Sequence, residues 1–196
     1  MKKWQIIVVV LIVLAVIFGG SYVSARNNMV RKKEQINQAW SQVDVVIERR
    51  ADLIPNLVQT VKGYAAHEQT VFGSVNQARE ALLSAQTPAA RMQANGQLDG
   101  ALGRLLAVVE NYPQLKADQN FLELQDQLEG TENRIAVERR RYNTALQDYN
   151  TYIGLFPNNM YAGWASFTRD NDYFKASAQA RQVPKVEFPG APAVKN

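Results

Sequence analysis

No cysteine occurs in this chain, and only one histidine is found among its 196 residues. The first absence removes disulfides, thiolate metal sites, cysteine nucleophiles and a lipidated cysteine together. The second excludes multi-histidine metal sites and makes any serine–histidine–carboxylate apparatus depend on His67 alone. Sustained alternation of apolar and polar residues is missing as well, so no window reads as a half-buried strand. Negative charge is absent from the first 33 residues, where Lys2, Lys3, Arg26, Arg31, Lys32 and Lys33 face no acid. The other 16 of the 22 basic residues face all 18 acidic ones, so the part after Lys33 has a balance of −2, against +4 for the whole. Nucleic acid is therefore not an expected partner, because that part carries no net positive field to attract phosphates.

What is present first is a run of 13 apolar residues, IIVVVLIVLAVIF at 6–18, which extends through Tyr22 and Val23 to 18 residues without a charge. As an α-helix it measures about 27 Å, close to the thickness of a hydrocarbon core. Twelve of the 13 are Ile, Val, Leu or Phe. At roughly −0.3 to −0.6 kcal/mol each, their insertion is favourable by about 4 to 7 kcal/mol. Trp4 and Tyr22 stand where interfacial aromatics belong, with Lys2 and Lys3 free to extend outward. Residues 1–25 thus read as a membrane anchor that spans at about 4–23 and makes the lipid bilayer a partner of a single-pass cell-membrane protein. A cleaved signal peptide is the rival reading, because Lys2 and Lys3 form an n-region and Val23, Ser24 and Ala25 a small-residue cleavage pattern. Against it, the run is long for an h-region and the following residues continue as helix. The α-amino group with Lys2 and Lys3 on one side, and Arg26, Arg31, Lys32 and Lys33 on the other, leave the orientation open.

After Val30 the apolar residues fall at helical spacing. Ile36, Trp40, Val43, Ile47, Ala51, Ile54, Val58, Val61 and Ala65 step by threes and fours without losing phase, which predicts one face of a long helix. Pro55 lies inside the pattern and its ring conflicts with the carbonyl of Ala51, so a kink is expected there and not a boundary. A second stripe, Val71, Val75, Ala78 and Leu82, stops before Thr87 and Pro88, an N-cap followed by a proline at the first helical position. The third stripe is Leu98, Leu102, Leu105, Val109 and Tyr112, closed by Pro113; Gly96, Gly100 and Gly103 are expected to admit a neighbouring helix. The fourth begins after Asn120 with Phe121, Leu124, Leu128, Ile135, Tyr142, Leu146, Tyr149 and Ile153. The expected fold is all-α: a transmembrane helix followed by an antiparallel bundle of about four long helices over 27–183, with an extended, proline-containing tail at 184–196. Trp164, Phe167, Tyr173 and Phe174 are expected to pack back on the bundle end.

Several blocks, in order, resemble one family. WSQVD at 40–44, RRADLIPNLV at 49–58, and TVKGYA at 60–65 with His67 and Glu68 are similar to the signature of LemA proteins. LAVVENYP at 106–113, LEGTENRIA at 128–136, RYN at 141–143, Phe156 with Pro157, and PKVEF at 184–188 continue the resemblance. It covers about residues 27–188 and is loosest over 160–172. The resemblance implies a bacterial protein with an N-terminal transmembrane helix, a helical bundle and no established enzymatic activity.

No catalytic, cofactor or metal site emerges from the residues themselves. A helical-bundle carboxylate metal site needs Glu-x-x-His motifs, and none is present. His67 and Glu68 sit where a helix ends or begins, which suits capping. The charged residues that stand out are Arg49, Arg50 and Asp52 at the expected kink, whose arginines are candidates for capturing freed carbonyls or pairing with acids such as Glu110 or Glu132. Glu132 and Arg134 on the fourth helix read as elements that fix helix register. This cluster is a candidate for partner docking or for structural pairing. Tyr142 with Asn143 and Tyr149 with Asn150, seven residues apart, are expected to pack and to hold hydrogen bonds. The leading functional expectation is a non-enzymatic docking or scaffold module of the bacterial envelope, with a protein partner and no cofactor. The alternatives are a hydrolase using His67 with a carboxylate, or an envelope protein whose basic segment at 26–33 binds anionic lipid.

Overall fold

The computed structural model describes residues 3–174, so the tail expected at 184–196 lies outside the described residues. Of these described residues 84% are helical and none forms a strand. The helices are α1 (Lys3–Lys62), α2 (Gln69–Ser84), α3 (Pro88–Val109), α4 (Pro113–Lys116), α5 (Gln119–Gly154) and α6 (Asn158–Trp164). Four are long, and they build the expected bundle. The two short ones, of 4 and 7 residues, escape periodicity because neither completes enough turns to show a stripe.

Helix α1 runs for 60 residues and carries the apolar run directly into the first bundle stripe. The phase read from the sequence is the phase of burial: Ile36, Val43, Ile47, Ala51, Ile54, Val58 and Val61 are all buried, with Trp40 half-buried against them. Pro55 is inside the helix and supplies no N–H for the carbonyl of Ala51. Arg79 of α2 replaces that donor, with Nε 2.8 Å from the Ala51 oxygen. The sequence pointed to Arg49 or Arg50 for such a role. On α1 itself, however, side chains tilt toward the N-terminus while carbonyls point toward the C-terminus, so an arginine one or two residues upstream is badly placed and a neighbouring helix supplies the donor.

The bundle consists of two antiparallel pairs, α1 with α5 and α2 with α3. Contacts climb one helix of the first pair as they descend the other: Lys32 lies over Tyr152, Trp40 meets Tyr142 and Arg50 meets Glu132. Helix α3 begins as expected, with the Thr87 hydroxyl accepting from the Ala90 N–H at 3.2 Å and Pro88 in the first turn. Helix α5 begins one residue before Asn120, and Asp118 caps it by accepting from the Phe121 N–H at 2.9 Å. After a cis Phe156–Pro157 peptide, α6 turns back onto α1.

Two expectations are corrected. A Cβ on Gly96 or Gly103 would meet nothing within 4 Å, and one on Gly100 only Arg104 Nη1 at 3.9 Å, so no helix approaches there. Leu98, Leu102 and Leu105 form the buried stripe of α3, and these glycines fall roughly 100 to 200° around the helix from it. Phe167, Tyr173 and Phe174 pack against the core as expected, whereas Trp164 is 68% exposed, with its ring beside those of Tyr22 and Tyr161. Phe174 reaches the middle of the bundle, stacking on Trp40 at 6.1 Å.

Candidate functional site: a charged seam beside an open groove

Arg50 sits on the face of α1 turned toward both α3 and α5, with 8% of its side chain exposed. Its Nη1 is 2.5 Å from Asp99 Oδ1 of α3 and 2.8 Å from Glu132 Oε2 of α5. One cation thus joins three helices. Asn95, one turn before Asp99, donates to the second Asp99 oxygen at 3.3 Å. The two carboxylates keep 39% and 42% of their exposure, but the Glu132 oxygen that faces Arg50 is itself buried, so the desolvated part of the seam is the guanidinium with that oxygen. A second arginine works in the opposite direction: Arg91 of α3 donates through Nη1 to Asp44 of α1 at 2.6 Å, reaches Glu48 at 3.5 Å, and donates through Nε to the Ala85 carbonyl at 3.3 Å.

Beside Arg50 the space between α3 and α5 stays open. A cavity of about 190 Å³ has Leu57 of α1 as its floor, Leu102 and Leu106 on one wall and Leu128 on the other, with Glu129 and Glu132 at its rim. Leu106 is 40% exposed. Farther along α3, a wider hollow of about 460 Å³ lies between Met92, Gly96 and Asp99 on one side and Arg139, Tyr173 and Phe174 on the other. The smaller cavity is a short groove with a leucine wall and acidic edges, and in the larger hollow the bare backbone at Gly96 is open to an occupant.

Of the residues singled out from the sequence, Arg50 and Glu132 come together here. Arg49 and Arg134 are exposed and face each other across a separate hollow of about 410 Å³ on another side of the α1–α5 pair. Glu110 lies at the end of α3 and pairs with Lys116 at 2.7 Å. Asp52 is exposed and has no ion pair among the described residues. Asp99, Asn95, Arg91, Asp44 and Arg79 were missed. Asp99 and Asn95 interrupt the apolar stripe of α3 on its buried side, which is the signal that could have found them.

His67 is exposed at the turn between α1 and α2, and no group of His, Asp and Glu that could hold a metal exists among the described residues. Glu68 precedes α2 without capping it through its side chain, which lies instead 3.5 Å from the Tyr112 hydroxyl. Tyr64 donates to Asp118 at 2.9 Å. The Phe121 N–H, and then this hydroxyl, hold the Asp118 carboxyl below its ordinary value, while the carboxylate in turn pushes Tyr64 up. Burial, with Asp170 and Asp172 nearby, pushes Tyr142 up to about 12. Asn143 exchanges two hydrogen bonds with the backbone of Phe174, at 3.0 and 2.9 Å, and Asn150 does the same with Asp170, at 2.5 and 3.0 Å. The two asparagines therefore pin the segment after α6 along α5, which agrees with the hydrogen-bonding role expected from their spacing.

Comparison with known proteins adds the lineage. Magnetosome proteins MamQ 1 and MamQ 2 of Paramagnetospirillum magneticum are each 29% identical over 195 residues, covering 86% of this chain and 71% of their own length. Protein LemA of Metamycoplasma hominis is 25% identical over 172 residues, covering 87% of this chain and 76% of its own. The LemA family model matches residues 39–188, which includes the Arg50 seam, both walls of the groove and α6, so the chain belongs to the LemA family.

Proposed function

We propose that this chain is a membrane-anchored, non-enzymatic docking module of the bacterial envelope. In this reading residues 1–25 hold it in the bilayer through a span at 4–23, residues 27–183 form the module, and the groove between α3 and α5 receives a protein partner. The observation that carries the anchor is that the apolar stretch of α1 has a mean hydropathy of 2.9 with none of it buried, yet continues without a break into the core stripe. Such a surface has no stable place in water. What supports docking is the open groove, whose leucine wall and acidic edges suit an amphipathic helix carrying basic residues on its flanks.

Photo-crosslinking tests the docking surface in intact cells. A crosslinking amino acid at Leu106 or Leu128 should give one common adduct, absent when the same residue is placed at exposed Val45 or Leu83 on other faces. Equal adducts from all four positions, or none from the groove pair, would remove the groove from consideration. The hydrolase alternative makes a different demand, that His67→Ala abolish an activity of the full chain. The docking reading expects His67→Ala to leave crosslinking unchanged.

A further inference from the structure

The membrane-proximal end of the bundle carries its own apolar surface. Leu155, Phe156, Met160 and Trp164, in and beside α6, are 57%, 79%, 48% and 68% exposed. Elsewhere in the bundle, exposed large apolar residues such as Val45, Leu83 and Leu122 occur singly, as they do on most soluble surfaces. Four within ten positions make a patch, and patches of that kind mark a contact. The sequence is unusual here in a second respect. Between Asp148 and Arg169 there are 20 residues without a charge, the longest such stretch after Lys33.

Its position decides what it meets. Helix α6 is packed on α1 at the end of the apolar run: the Tyr161 hydroxyl is 3.4 Å from Ser21 Oγ, and the Tyr22 ring is 5.7 Å from Tyr161 and 6.4 Å from Trp164. Tyr22 stands about 24 Å along the helix from Ile6, within a few ångströms of the boundary of a hydrocarbon layer about 30 Å thick. The patch is therefore held at the level where headgroups meet acyl chains, and it is continuous with the apolar surface of α1. Tryptophan, tyrosine and uncharged residues are what that zone accepts. The charges resume with Arg169, Asp170 and Asp172, which belong to the segment pinned farther up α5.

We propose that the α5–α6 turn and α6 are a second membrane contact: residues 155–164 sink into the lipid interface beside α1 and seat the bundle on the bilayer in a fixed tilt and rotation. This rests on the anchor reading, since it takes the bilayer level from α1. A lone spanning helix would leave the bundle free to swivel; a wedge on one side of it does not.

The absence of cysteine makes site-specific spin labelling of the full chain straightforward. In vesicles of phosphatidylcholine and phosphatidylglycerol, nitroxides at Phe156→Cys and Met160→Cys should collide more with oxygen than with a water-soluble nickel chelate, as interfacial labels do. Val10→Cys should read deep in the layer and Val45→Cys fully aqueous. If Val10→Cys reads deep while both α6 labels read as aqueous as Val45→Cys, the wedge is overturned and the anchor stands. If Val10→Cys is itself aqueous, the anchor reading fails. Labels at 156 and 160 shielded from both reagents, with spin–spin broadening, mean that a second copy covers the patch, which also overturns the proposal. Using two label sites guards against one substitution disturbing the turn.

Discussion

A guanidinium with 8% of its side chain exposed has lost most of its hydration, and Asp99 and Glu132 supply the replacement. Removing one partner of a fully buried pair costs about 3–5 kcal/mol. Here both acids stay partly hydrated, so Arg50→Ala should lower the unfolding free energy by about 2 to 4 kcal/mol in urea titration. The triple variant Arg50→Met, Asp99→Asn, Glu132→Gln should regain at least half of that loss, because it leaves no charge unpaired. A parent-like Arg50→Ala would mean that the seam does not hold the three helices together. Tyr142 makes a pH-dependent contribution. Burial raises its folded value to about 12 from an ordinary 10, so the folded state holds the phenolic proton more tightly than the unfolded chain does. That contribution is complete below pH 10 and is lost as the pH rises from 10 through about 12. Alkaline titration of stability should therefore fall across this window, and Tyr142→Phe, which has no proton to lose, should flatten the fall.

Within α1, Pro55 and Arg79 form a linked pair. Arg79→Met should cost about 1–3 kcal/mol, because the Ala51 carbonyl then has no donor. In a Pro55→Ala background the N–H of residue 55 serves that carbonyl, and the same substitution should cost about 1 kcal/mol less. A double-mutant cycle measured by thermal or urea unfolding would show this as coupling; strict additivity would mean that Arg79 acts through packing alone. The cycle also shows where sequence reading reaches its limit. The position of Pro55, the conflict with Ala51 and the need for a cation follow from local chemistry, but the choice of Arg79 depends on how α2 lies against α1. Local signals such as the Thr87 cap and the four stripes were legible because each is settled within a few residues. Helices α4 and α6 were not, since one or two turns are too short to show a period, and the glycines of α3 were misread because their own spacing was taken without their angular offset from the leucine stripe. Half of the seam, Arg50 with Glu132, could be read from unusual charges on apolar stripes. Asp99 left only the trace of a polar residue beside the buried face of α3, and its pairing with Arg50 depends on how α3 lies against α1.

At the scale of the whole molecule, the apolar run and the first bundle stripe share one helix, so under the anchor reading the balance of insertion can be shifted without touching the folded domain. The apolar run contributes about 4 to 7 kcal/mol to insertion. An arginine near its centre subtracts about 2.5–3.5 kcal/mol and removes a favourable aliphatic residue of up to about 0.6. Leu11→Arg alone should therefore stay in the membrane pellet after alkaline carbonate extraction. Leu11→Arg with Leu14→Arg, at about 6 to 8 kcal/mol in total, cancels the driving force of the run and should move part of the chain to the supernatant. Both leucines are exposed and touch nothing in the bundle core, so the helical content of the released double variant should match that of the parent outside the run. The mass of the mature protein discriminates the signal-peptide reading in the same samples, because a cleaved chain begins at Arg26 and an anchored one retains Trp4. If α6 also holds the interface, the double variant will leave the pellet completely only when Phe156 and Trp164 are replaced by serine as well. A bundle held by α1 alone needs no such help.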